Sequence, residues 1–247
     1  MKNLNMSNLN YRRIIYLIVI SLFFIEGSKA QDLTNNFKKW YGINLNTKIN
    51  KNLKLKFGAL LSQNSSPSGY SFSQGKLGLS YKIKKHTYVE FGYVKELLND
   101  SQKKRDLYNI TPGLFNKLEF DRIYTNFSYK HSLVNRVSFK HKLEFQLFLP
   151  AVQKYKYRYV YSGTLAYNIK KSSITPYLIN QIYYYTGGDI SGGIKRYRLV
   201  SGIRFKLIKN FPLSTSLYYL YQNEFNTGIL KENDYKAIGI SLTFKIN

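Results

Sequence analysis

From about residue 40 onward, this chain counts in twos. Its last segment places Ile238, Ile240, Leu242, Phe244 and Ile246 on one parity, with Gly239, Ser241, Thr243, Lys245 and Asn247 on the other. The same alternation runs through residues 53–61, 77–83, 137–149 and 197–207. Successive side chains of a β-strand point to opposite faces, so period two describes strands with one apolar and one polar face. No stretch after Ala30 shows the 3.6 period of a helix. Two architectures yield such runs, a soluble β-sandwich and a membrane β-barrel. Sandwich strands are usually about 5–6 residues long. These segments pass nine, and several approach fourteen, the length of a tilted strand crossing a bilayer. Their polar face mixes Lys, Arg, Glu and Gln with Gly, Ser and Thr, which suits a wet lumen better than a solvated sheet. A barrel also pairs every strand and leaves no edge in lipid. The expected fold is all-β, a transmembrane antiparallel up-and-down barrel.

Eleven segments carry the pattern, at about 40–49, 53–63, 73–83, 87–96, 121–131, 136–149, 155–168, 173–186, 194–207, 213–225 and 234–247. Short connections at 50–52, 84–86, 170–173 and 208–212 alternate with longer ones at 64–71, 97–120, 187–193 and 226–233. Short periplasmic turns and longer external loops are the outer-membrane arrangement, with an even strand number. Twelve strands are therefore expected, with ten as the alternative. The twelfth comes from residues 33–39 or from part of 105–115. Folding about Lys51 sets Leu45 opposite Phe57. Folding about Lys85 sets Leu79 opposite Phe91 and Tyr81 opposite Val89. A fold point wrong by one residue would turn each apolar set to the other face. Tyr155, Tyr157, Tyr159 and Tyr161, then Tyr183 to Tyr185, adjoin the long loops, where an aromatic girdle is expected. Strand propensity alone also favours Tyr at these positions.

The N-terminus reads as an address. Arg12 and Arg13 precede twelve mostly apolar residues, 14–25, followed by Ser28-Lys29-Ala30. A basic head, a short apolar run and small residues before the cut describe a signal peptide, residues 1–30. Twelve residues are too few for a spanning helix, which needs about 20. Residues 31–247 are then the barrel domain, exported to the outer membrane. No Cys is present, so no disulfide framework or thiolate metal site is available. The formal charge of +25 calls for an anionic neighbour. Export, and the absence of any recognition helix, argue against nucleic acid. The expected partners are outer-membrane lipid and lipopolysaccharide, with the barrel-insertion machinery reading the C-terminal strand through outward Phe244.

The polar parity supplies the candidate site. Lys140, Lys142 and Glu144 share one strand with Gln146. Lys156 and Arg158 share the next, and Arg196, Arg198 and Arg204 lie two strands on. Folding about Val152 opposes Arg158 to Gln146. Folding about Asn210 opposes Arg196 to Glu224 and Arg198 to Gln222, with Ile203 facing Leu217 and Leu199 facing Tyr221 outside. Two readings follow. A salt-bridge ladder fills the lumen of a structural or scaffold barrel, which is the reading preferred. Alternatively, focused positive potential draws small anionic solutes through a passive channel or transporter. No enzyme is expected. A hydrolase needs its nucleophile and base on one face near one rim, yet His86 lies in a turn, His131 and Ser132 have opposite parity, and His141 points outward. No catalytic residue, cofactor or metal site is assigned.

Short motifs recur along the chain: Trp40-Tyr41-Gly42, Phe91-Gly92-Tyr93, His141-Lys142-Leu143-Glu144-Phe145, Tyr157-Arg158-Tyr159, Arg196-Tyr197-Arg198 with Gly202, and the closing Leu242-Thr243-Phe244-Lys245-Ile246-Asn247. In this order they resemble DUF2490, a family of small outer-membrane barrels of the Bacteroidetes. One departure is Gln181, near where the family has an acidic residue after Pro176. The resemblance implies fold and location, and no activity.

Overall fold

The computed structural model describes residues 37–64, 70–98, 119–149, 156–188, 192–206, 211–225 and 234–246. The expected signal peptide and the candidate crossing at 105–115 lie outside the described residues. Residues 37–39 of the other candidate crossing, 33–39, extend the first strand. Eleven strands are formed: β1 (Phe37–Lys48), β2 (Leu53–Asn64), β3 (Tyr70–Lys84), β4 (Thr87–Leu98), β5 (Glu119–Val134), β6 (Val137–Leu149), β7 (Tyr157–Tyr167), β8 (Thr175–Thr186), β9 (Gly193–Phe205), β10 (Leu213–Glu224) and β11 (Tyr235–Ile246).

Each strand pairs antiparallel with its neighbours in sequence, and the sheet closes by pairing β1 with β11. That last pair is parallel, from Phe37 opposite Lys236 to Thr47 opposite Ile246. The count lies between the twelve and ten strands expected. The even-number rule brings both chain ends to one rim. Eleven up-and-down strands instead make the first and last run the same way, so closure is parallel and no edge is left. β1 consequently starts at the rim of the long loops, and β11 ends at the rim of the short turns.

The period of two is realised throughout the wall. Phe91 (58% exposed), Ile238 (56%) and Leu143 (55%) stand on the outer face, while their sequence neighbours point into the lumen. The registers set by the fold points also hold. Leu45 faces Phe57, Leu79 faces Phe91 and Tyr81 faces Val89. Gln146 faces Arg158, and Ile203, Leu199, Arg198 and Arg196 face Leu217, Tyr221, Gln222 and Glu224. Two of the tight turns end in left-handed residues, His86 (φ 69°) and Arg136 (φ 68°), each beside a register shift, as hairpins with a three-residue loop and a bulge do.

Inside the lumen, glycine and tyrosine are complementary. Gly78 faces Gly92 across β3 and β4, and Tyr124 of β5 sits beside Gly92. A Cβ at Gly78 would run into the Tyr124 hydroxyl, and one at Gly92 would lie 2.6 Å from Tyr124 Cε1 as well as against the Leu77 carbonyl, so the ring takes space that the two glycines leave. Tyr218 does the same over Gly239, its partner on β11, and the Tyr177 hydroxyl lies over Gly202. These rings bring apolar bulk to the inner wall where the strands themselves offer none.

Candidate functional site

The polar parity of β4 to β11 meets in the loop half of the lumen. Arg196 and Glu224 are opposed across β9 and β10. Arg196 Nε donates to Glu224 Oε1 at 2.8 Å, and Nη2 donates to the same oxygen. Glu224 is only 1% exposed, so this charge pair is dry. One step toward the turn rim, Arg198 Nη2 donates to Gln222 Oε1 at 2.5 Å and to the Tyr235 hydroxyl at 3.3 Å. On β7, Arg158 Nε donates to Gln146 Oε1 at 2.9 Å. Gln146 passes the polarity on by donating to Glu144 Oε1, and Lys142 Nζ holds the other Glu144 oxygen at 2.5 Å. Strand alternation explains the alignment: each residue sits an even number of positions from its neighbour on the same strand.

Tyr183 of β8 ties these groups together. The guanidiniums of Arg158, Arg196 and Arg198 lie 5.6, 5.4 and 5.4 Å from the centre of its ring. Cation–π attraction and the planar stacking of Arg offset part of the repulsion between three like charges. Phe120, Tyr124, Phe148 and Tyr185 are at most 1% exposed around them. Arg198 also reaches the ring of Trp40 on β1, 5.3 Å away, which carries the contact across the lumen.

Two further carboxylates belong to this interior. Glu96 receives Arg122 Nη2 at 2.8 Å and Gln74 Nε2 at 3.0 Å. Glu90 holds Lys56 at 2.5 Å and Lys76 at 3.3 Å, and accepts the Tyr124 hydroxyl at 2.7 Å. Sequence reasoning missed Glu90, Glu96 and Arg122 and gave Tyr183 no lumen role. The fold point at Lys85 does oppose Glu96 to Gln74, as found. The contacts of Arg122 with Glu96, and of Lys56 and Tyr124 with Glu90, span strands that no short turn joins.

The remaining expected residues are spread apart. Lys156 precedes β7, with its ammonium over the Tyr157 ring at 5.5 Å, outside the Arg158 network. Arg204 lies over Tyr177 at 5.3 Å, near the turn rim. Lys140 and Lys142 line one cavity in the turn half, about 320 Å³ in volume, together with Lys54, Lys56 and Lys76. A second cavity, about 420 Å³, has Arg198, Arg204 and Lys245 on its wall. His131 and His141 stack on the outer face, ring centres 5.4 Å apart, with His141 Nδ1 2.9 Å from the Tyr161 hydroxyl. Among the described residues, no three His, Asp or Glu side chains are grouped as metal ligands.

The arrangement separates two functions by height. The loop half holds desolvated polar groups joined by hydrogen bonds and ion pairs, which rigidify it, with Arg122 Nε left without a hydrogen-bond partner among the described residues. The turn half holds wetter space with a surplus of cations.

No curated protein matches this chain. A family model described as "Protein of unknown function (DUF2490)" matches residues 37–233. The match takes in β1 to β10 and stops short of β11. The motif residues that it spans include Trp40, Gly92, Arg158, Arg196 and Arg198, all facing the lumen described above. The chain belongs to the DUF2490 family of proteins of unknown function.

Proposed function

We propose that this protein is an exported outer-membrane barrel, closed on its loop side by its own side chains, which acts as a structural or scaffold element rather than as an open pore. The membrane part of this reading is supported by a continuous outer face of Phe, Leu, Ile and Tyr, with Ile43, Phe91, Leu143 and Ile238 all more than half exposed. Such a band is costly in water and favourable in lipid. A basic, short, apolar N-terminal segment supports export.

The observation that carries the closed-barrel reading is the convergence of Arg158, Arg196 and Arg198 on Tyr183. A conducting lumen needs a wet path, and here the loop half is packed with groups that water does not reach. Conductance of the purified chain in planar bilayers tests it. The expected trace is silent for the parent. Stepwise current is expected when Tyr183→Ala and Arg158→Ala are combined, because the two truncations open the layer. Discrete anion-selective steps from the parent would instead make the protein a passive channel for small anionic solutes.

A further inference from the structure

The larger turn-side cavity has the chemistry of a binding site. Its volume, about 420 Å³, falls in the range of small-molecule sites, about 300–1,000 Å³. Three cations reach it, Arg198, Arg204 and Lys245, and among the described residues no carboxylate lines it. This is unlike the neighbouring cavity, where Glu90 is part of the wall. Arg204 and Lys245 form no ion pair among the described residues. Their charge is therefore open to a ligand.

The rest of the wall divides in two. Ser214, Ser216, Ser241 and Thr243 bring hydroxyls from β10 and β11, and Asn44 of β1 adds an amide. Asn44 Nδ2 already donates to Ser241 Oγ at 2.9 Å, which holds that part of the wall in place. Trp40, Tyr177 and Tyr218 supply flat apolar surface. The Trp40 indole is 7% exposed, and its Nε1 has no hydrogen-bond partner among the described residues. An unmet buried donor is costly unless a ligand or water completes it.

We infer that this cavity binds a small hydroxylated organic phosphate of the sugar-phosphate class. The open guanidinium fork of Arg204 and the Lys245 ammonium suit a phosphate, while Arg198, whose Nε and Nη2 are held by Gln222, adds positive charge. Hydroxyls and an amide suit a polyol, and aromatic rings suit the apolar face of a sugar. The barrel wall separates the cavity from the outer surface, so the occupant comes from the aqueous phase. This goes beyond the closed-barrel reading. That reading fails on current, whereas this one fails on heat of binding.

The test is isothermal titration calorimetry on the full chain purified in detergent, with glucose 6-phosphate, glucose and inorganic phosphate as probes. Glucose 6-phosphate is expected to bind at least tenfold more tightly than inorganic phosphate, and glucose to give no heat. Arg204→Ala and Lys245→Ala should each weaken binding about tenfold, as the loss of one charge-assisted contact does. Lys95→Ala, on the outer face, should leave it unchanged. Heat-modifiable migration checks that each variant is folded, and Arg204→Lys, which keeps the charge and loses the fork, gives an intermediate affinity if Arg204→Ala does not fold. No heat with glucose 6-phosphate overturns the proposal. So does equal affinity for inorganic phosphate, or an unchanged affinity in the folded cation variants.

Discussion

Arg196 and Glu224 lie directly across from each other on β9 and β10, with both Nε and Nη2 of the guanidinium on one carboxylate oxygen. Burial decides what this pair does. Glu224 is 1% exposed, so removing one partner leaves the other charged and desolvated. Glu224→Ala alone is expected to cost about 3–5 kcal/mol, and the double replacement Arg196→Met with Glu224→Leu considerably less. Urea unfolding of the four proteins in a double-mutant cycle measures the coupling. Strictly additive losses would show the pair to be wet and weak.

The glycine–tyrosine complementarity gives a second expectation. Gly78→Val places a side chain against the Tyr124 hydroxyl, the atom nearest to a Cβ there. Overpacking of this kind costs about 1–3 kcal/mol. Gly75→Val is the comparison, because nothing lies within 4 Å of a Cβ there. Thermal unfolding should show a clear drop for the first and little for the second, and Tyr124→Ala should restore part of the loss at Gly78. Equal shifts at the two glycines would remove Tyr124 from the explanation.

The outer face tests membrane residence. Phe91 is 58% exposed at mid-strand. In lipid, Phe91→Arg is expected to cost about 2–4 kcal/mol, and in water almost nothing. Refolding into vesicles, followed by the heat-modifiable shift on mild gels, separates the two. Unchanged stability of Phe91→Arg, with folding that needs no vesicles, argues for a soluble barrel.

Phe244 stands on the outward parity of β11, opposite Leu213 on one side and Leu45 on the other. We expect Phe244→Asp to lower the amount of protein in the outer-membrane fraction severalfold, through poorer recognition of the last strand. Thr243→Asp, on the inward parity, should have a smaller effect. Similar losses for both would mean that the strand matters only for stability.

How far these relationships were legible depends on the connection between the strands involved. Where a short turn joins two strands, opposed residues sum to a constant. That is why Leu45–Phe57, Leu79–Phe91 and Arg198–Gln222 follow from counting. Across the long connection from Leu98 to Glu119 no fold point exists, so Arg122 could not be brought to Glu96, nor Tyr124 to its glycines. Contacts that cross the lumen, such as Arg198 with Trp40, depend on curvature and closure, which no local pattern encodes. The cations of the candidate site were visible by parity. Their convergence on Tyr183 was not, because Tyr183 read as one of a run of strand-forming tyrosines.

The parallel seam between β1 and β11 has an engineering consequence. In an even-stranded barrel the two ends of the sheet meet at one rim, and a few residues suffice to join them. Here Phe37 pairs with Lys236 and Thr47 with Ile246, so the ends to be joined lie a full wall height apart. At about 3.3 Å per residue, a linker from residue 246 back to residue 37 must run the length of a twelve-residue strand. A circular permutant with a short linker therefore cannot close. One whose linker alternates apolar and polar residues over that length can enter the seam between β11 and β1, antiparallel to both, and turn an eleven-strand barrel into a twelve-strand one.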